Sequence, residues 1–266
     1  MAGTLSEYTQ GAVAGFIGGV NMPAPPANLF LALSTVDPLD TGSGLAEPGG
    51  AYARQALTLS APNTTLAEGT SSANDADIQF TGLGASTVTH IAVMDSAAGG
   101  NMLFTAALDV VRAVTAGDTV SFATGVVKLT VGDNISQYLG EALINWMRGT
   151  IPPNAPSGLQ LALSRGGVGR DGTGIDRPMI TDGYADQTIT LNAATFVSGT
   201  GTTLTSSNDI VYGPSHTNSW GTITDAFIVS SDDSSQILQG VSSHPELVAL
   251  GDGVGVTAGS VSFVVK

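Results

Sequence analysis

The sequence repeats itself. Leu5-Ser6-Glu7-Tyr8 returns as Ile135-Ser136-Gln137-Tyr138, and Leu29-Phe30-Leu31-Ala32-Leu33-Ser34 returns as Leu159-Gln160-Leu161-Ala162-Leu163-Ser164. Over residues 5–34 against 135–164, without a gap, 11 of 30 positions are identical. The register continues with small slips: Tyr52-Ala53-Arg54-Gln55 faces Tyr184-Ala185-Asp186-Gln187, Asp77-Ile78-Gln79-Phe80 faces Asp209-Ile210-Val211-Tyr212, and Gly117-Asp118 faces Gly251-Asp252. Collinear matches with slips confined to the segments between them are the signature of one structural unit used twice. The repeat predicts two modules, residues 1–132 and 133–266, joined near residues 131–134. Each is long enough to build a core of its own.

Each module is expected to open with a short α-helix. Ile135, Tyr138, Leu139, Ala142, Leu143, Trp146 and Met147 recur at helical spacing, and Gly149 with Pro152-Pro153 ends the run. In the first copy Tyr8, Ala12 and Phe16 lie one turn apart, with Gly19 as the stop. Gly11, Gly15 and Gly18 each weaken that helix by up to ~1 kcal/mol, so packing must hold it. Strands follow at residues 28–34 and 158–164, 56–59 and 188–191, 91–94 and 226–229, and in long closing runs at 122–131 and 256–265. Turn residues recur between them at intervals typical of a sandwich or barrel. The expected fold class is mainly β: two tandem β-sandwich or barrel-like modules, each opened by a short N-terminal helix.

Composition narrows the function. Of the 266 residues only 11% are charged, and 8 basic residues stand against 22 acidic ones, a net charge of −14. A nucleic-acid binder carries a basic stripe, and this chain has none. The same deficit argues against an anionic membrane surface. There are no cysteines, which removes disulfides and thiolate metal sites. The apolar stretch at 12–20 has no preceding Lys or Arg, unlike a secretion signal, and no apolar run approaches the ~18 residues of a membrane span. The reading is a soluble protein made in the cytoplasm.

Little in the chain points to catalysis. His90, His216 and His244 stand apart from any metal-ligand spacing, so no metal and no cofactor is expected. Residues 166–172, Gly-Gly-Val-Gly-Arg-Asp-Gly, follow a strand but lack the Gly-Lys-Ser/Thr of a phosphate loop and read as a flexible surface loop. Asp37, Asp40, Asp75, Asp77, Asp232 and Asp233 sit near turns, where aspartate bonds its own backbone. Aromatic residues are only 6% of the chain, lean for a sugar-stacking groove. Trp146 belongs on the core face of its helix, whereas Trp220, in a turn before a strand, is a candidate for exposure.

The order and spacing of several first-module segments resemble a family of small tailed-phage virion structural proteins, often labelled phage tail fibre proteins. They are the opening helix, Leu31-Ala32-Leu33-Ser34-Thr35-Val36-Asp37-Pro38, Tyr52-Ala53-Arg54-Gln55, Asp95 with Gly99-Gly100-Asn101-Met102-Leu103, and Gly117-Asp118. The second module departs: it has Asp186 where Arg54 stands and lacks the Gly-Gly-Asn. The resemblance implies a non-enzymatic, β-rich virion component. A compact, acidic, duplicated module suits a capsid decoration protein that cements the head; a tail fibre contacting the host is the alternative, and a glycan-binding or glycan-cleaving virion protein a further one. Expected partners are the major capsid protein or other virion proteins and further copies of the chain, a trimer among the options. Arginine is scarce here, so Arg54, with Tyr52, Gln55 and the turn tryptophan Trp220, is the candidate interface set. Alternatively Arg54 pairs internally with a turn carboxylate such as Asp95 or Asp37.

Overall fold

The computed structural model describes residues 3–65, 69–132, 135–198, 200–233 and 236–265, excepting the side chains of 239–245. The first half contains β1 (Gly3–Leu5), α1 (Glu7–Ile17), β2 (Leu29–Ser34), β3 (Gln55–Leu57), β4 (Asn63–Thr65), β5 (Gly69–Ala73), β6 (Ile78–Phe80), β7 (Ser86–Met94), β8 (Met102–Val114), β9 (Val120–Phe122) and β10 (Lys128–Val131). The second contains α2 (Gln137–Met147), β11 (Leu159–Ser164), β12 (Gln187–Ile189), β13 (Thr195–Val197), β14 (Gly201–Thr205), β15 (Ile210–Tyr212), β16 (Gly221–Ser230), β17 (Ile237–Val248), β18 (Val254–Val256) and β19 (Ser262–Val265).

The two halves share one topology apart from β1, which adds a fifth strand to the first large sheet. The large antiparallel sheets run β1-β8-β7-β2-β3 and β17-β16-β11-β12, the small ones β10-β5-β4 and β19-β14-β13, and the ribbons β6-β9 and β15-β18. Registers agree as well: Leu31 faces Val93 and Ser34 faces His90, as Leu161 faces Ile228 and Ser164 faces Asp225. β2 is an unbroken apolar run because both its faces are covered. Leu29, Leu31 and Leu33 point into the main core, and Ala32 joins Met94 and Met102 on the other face. Ala162, Phe227 and Val229 repeat that second cluster in the second half.

The expected closing strand at 122–131 is two strands in two sheets. Asn74, buried on β5's exit, breaks it: its Nδ2 donates to Ala123 O (2.9 Å), its Oδ1 accepts from Val127 N (2.8 Å), and its carbonyl accepts from Gly125 N (2.8 Å). Ala123, Thr124, Gly125 and Val126, exposed in succession, interrupt the alternation expected over this run.

The helices carry the largest departure from the expected plan. Each is capped by serine: Ser6 Oγ accepts from Thr9 N and Ser136 Oγ from Leu139 N, both at 3.2 Å. Each then packs across the boundary. α1 lies on its own β8 but also on β14 and β19 of the other half, while α2 lies on its own β17 and on β5 of the first half. The core is therefore continuous: Phe16, Leu31 and Phe80 belong to the same buried cluster as Trp146, Leu161 and Tyr212. The halves do not build the two separate cores that their length allows.

Candidate functional site

β3 starts at Gln55 and brings Arg54 against the loop that follows β2. The Arg54 guanidinium is fully engaged: Nε lies 2.9 Å from Glu47 Oε1 and Nη2 3.0 Å from Oε2, and Nη1 donates to the carbonyls of Ser96 (2.9 Å) and Gly99 (2.6 Å). Its side chain is 6% exposed. A bidentate arginine–carboxylate fork is among the stronger polar contacts a protein makes. Tyr52 completes the cluster, its hydroxyl donating to Glu47 Oε1 (2.8 Å) and accepting from Leu33 N (3.0 Å). Burial, foremost, raises the Tyr52 hydroxyl above its ordinary value of 10.0. Gln55 Nε2 is turned to Ala53 O (2.8 Å).

The partner of Arg54 is thus Glu47, not Asp95 or Asp37. Asp95 instead accepts from Asn101 N (2.7 Å) and Asn101 Nδ2 (2.8 Å), and Asp37 from Leu39 N (2.9 Å). The second half rebuilds the cluster with its charges exchanged. Tyr184 takes the place of Tyr52, donating to Asp186 Oδ1 (2.6 Å) and accepting from Leu163 N (2.7 Å). Arg177 stands at the repeat position of Glu47 and lies 3.4 Å from Asp186, which stands at the position of Arg54. The acid and the base have traded places while the tyrosine between them has not. Sequence reasoning noticed Asp186 but passed over Glu47 and Arg177; at the offset of 130 these two face each other with opposite sign, which was the available signal.

Trp220 is placed in the core rather than in an exposed turn. It is 1% exposed, its Nε1 donates to Asp182 O (2.9 Å), and its ring meets Tyr184 edge-on at 5.6 Å. The halves differ at the tip around it. Residues 213–221 occupy the span that 81–86 fill in the first half, and Met179 and Ile180 stand 61% and 83% exposed where the first half has Gly49 and Gly50.

The other polar residues singled out above brace loops. Thr124 N donates to Asp77 Oδ1 (2.8 Å), Ser157 N to Asp232 Oδ2 (2.6 Å), and Ser198 Oγ to Asp40 Oδ1 (2.7 Å). Asp37 makes the local two-residue turn expected of such aspartates, whereas Asp40, Asp75, Asp77 and Asp232 tie segments far apart in sequence. The glycine-rich loop at 166–172 is a clasp: Arg170 donates from Nη2 to Ile135 O (2.7 Å) and Gly132 O (3.2 Å), and its carbonyl accepts from Gln137 N at the start of α2 (2.9 Å). His90 bonds Thr89 through Nδ1 (2.8 Å), and the side chain of His244 lies outside the described residues. Among the described residues no three His, Asp or Glu side chains are grouped to hold a metal ion.

Two clefts mark the junction of the halves. One, of about 360 Å³, lies where Met147 and Arg148 at the end of α2 meet residues 26–30 and 56–59 of the first half. Its counterpart, of about 260 Å³, lies where Ile17 and Gly18 at the end of α1 meet residues 156–159 and 188–191.

What this arrangement defines is a duplicated β-rich scaffold in which Glu47, Arg54, Asp77, Arg170, Arg177, Asp186 and Asp232 fasten its own loops. The model of the family described as podophage GP4 fiber I protein gp80 matches the chain twice, over residues 4–130 and 134–263. The chain belongs to this family of phage fibre proteins, as a tandem duplication, and is a structural component of the virion. A comparison with curated proteins found no match.

Proposed function

We propose that the protein is a non-enzymatic part of the tail fibre apparatus of a tailed phage and contributes to contact with the host. The observation that carries this reading is the double match to a fibre family, which spans nearly all of both halves. The sequence alone favoured cementing the capsid, on the ground that the modules are compact and acidic. That argument concerns shape and charge only, and a fibre can equally be assembled from compact modules. The diverged tip of the second module, with Met179 and Ile180 exposed, is the face we assign to the contact, since duplication frees one copy to change while the other keeps its place. Arg54 and Tyr52, held internally, then shape the first module rather than reach a partner. We assign synthesis to the host cytoplasm and assembly to contacts with other virion proteins and with further copies of the chain.

Quantitative mass spectrometry of purified particles tests the assignment. A handful of copies per particle, together with an antibody against the protein that blocks adsorption, is the expected result. A ratio to the major capsid protein near one-to-one would overturn it and return the protein to the head.

A further inference from the structure

Several backbone and helix contacts between the halves come in pairs related by exchange of one half for the other. The Gly19 backbone passes beneath Pro156 O, 3.3 Å from where a Cβ would stand, and Gly149, its repeat partner, passes Pro26 O at 3.5 Å. Both glycines have positive φ, +88° and +87°. α1 rests on β14 as α2 rests on β5. On α1, Gln10 Oε1 accepts from Thr202 Oγ1 (3.2 Å); on α2 the repeat position is Gly140, seated on Thr70, the counterpart of Thr202. The two junction clefts are a further such pair. Reciprocal contact of one patch with its own copy is the mark of a two-fold, isologous interface.

We propose that this junction is a dimer interface: each module recognises a second module of its own kind, and the chain is that dimer written as one polypeptide. The buried faces of the helices support this. Thr9, Gln10, Val13, Ala14, Phe16 and Ile17 are all buried, in a helix that its own half meets mainly through β8. Parting the halves would open the shared cluster and strip the partner from Gln10 Oε1, an expensive exposure of apolar surface and a lost buried hydrogen bond. Further bonds cross the junction, all donated by the second half: Trp146 Nε1 to Pro23 O (2.8 Å), Ala155 N to Asn21 Oδ1 (2.7 Å), and Arg148 Nε to Leu59 O (3.0 Å). The covalent connection between residues 131 and 135 is then a convenience of synthesis, and a folded single module of this type is a partner the junction accepts.

The test cuts that connection in the full chain. A protease site is inserted between residues 132 and 135, and the purified protein is cleaved to completion, as judged under denaturing conditions. Cut and uncut protein are expected to sediment alike, with one copy of each half per 26.7 kDa, and to part only in denaturant. Trp146, on the junction, should keep its near-ultraviolet signal after the cut. Halves that separate in native buffer, folded or unfolded, would overturn the proposal.

Discussion

A Cβ added at Gly11 would meet nothing within 4 Å, whereas at Gly140 it would land 2.5 Å from Thr70 Oγ1. Both are helical, so propensity alone favours alanine at either by about 1 kcal/mol. The structure splits them. Gly11→Ala should stabilise the protein by about 0.5–1 kcal/mol, and Gly140→Ala should destabilise it by about 1–2 kcal/mol through overpacking; thermal melts of both variants check the sign. Arg54→Ala would remove the fork to the exposed Glu47 and leave two loop carbonyls without their donor, and should cost about 1–2 kcal/mol; urea titration measures it. Burial raises Tyr52, Tyr184 and Tyr212 above the ordinary value of 10.0. The unfolded chain releases those protons first, so it binds fewer protons than the native state as pH climbs past 10. Stability should hold up to that point and fall beyond it, with the tyrosinate absorbance of these three rising only as the protein unfolds. A rise before unfolding larger than the half-buried Tyr8 and Tyr138 can supply would count against buried hydroxyls. Of these residues, Arg54 and Tyr52 stood out in the sequence, but Glu47 did not, because an acid in an irregular loop carries no periodic signal.

At the scale of elements, the helices were legible because apolar spacing and glycine stops agree; the serine caps added by the structure fit the same bounds. Ser136→Ala removes the side chain that accepts from Leu139 N and should cost about 1 kcal/mol. A comparable loss in the denaturation midpoint is expected, and none would mean that water or a neighbour caps α2 instead. The central strands β7 and β16 were legible from the unbroken apolar runs at 91–94 and 226–229, and β2 and β11 as apolar runs beside them. β5 and β14 were not: Gly69-Thr70-Ser71-Ser72-Ala73 is small and polar, yet it is largely buried because α2 presses on it. Small residues let a helix come close, and that reason lies in the other half of the chain, beyond any local window. The break between β9 and β10 was hidden for a similar cause, since Asn74, which makes it, lies about fifty residues upstream.

For the whole molecule, the repeat made two modules evident, and the pairing of registers followed from it. What the repeat could not convey was which sheet each helix covers, because an apolar stripe states that a face is buried without saying beneath what. A continuous core predicts one cooperative unfolding transition for both halves. Trp146, at the junction, and Trp220, at the second tip, should lose their native fluorescence at the same urea concentration as far-ultraviolet dichroism is lost; two separated midpoints would show independent modules. The exchanged ion pair has a consequence of its own for heredity. Two similar coding segments in tandem invite unequal crossing-over, which fuses the start of one copy to the end of the other. A crossover falling between positions 47 and 54, or their counterparts 177 and 186, joins Glu47 to Asp186 or Arg177 to Arg54. Either hybrid sets two like charges beside the buried tyrosine hydroxyl, and the recombinant chain is penalised at the level of folding. The reversed pair thereby works as a barrier that keeps the two halves from being blended back into one.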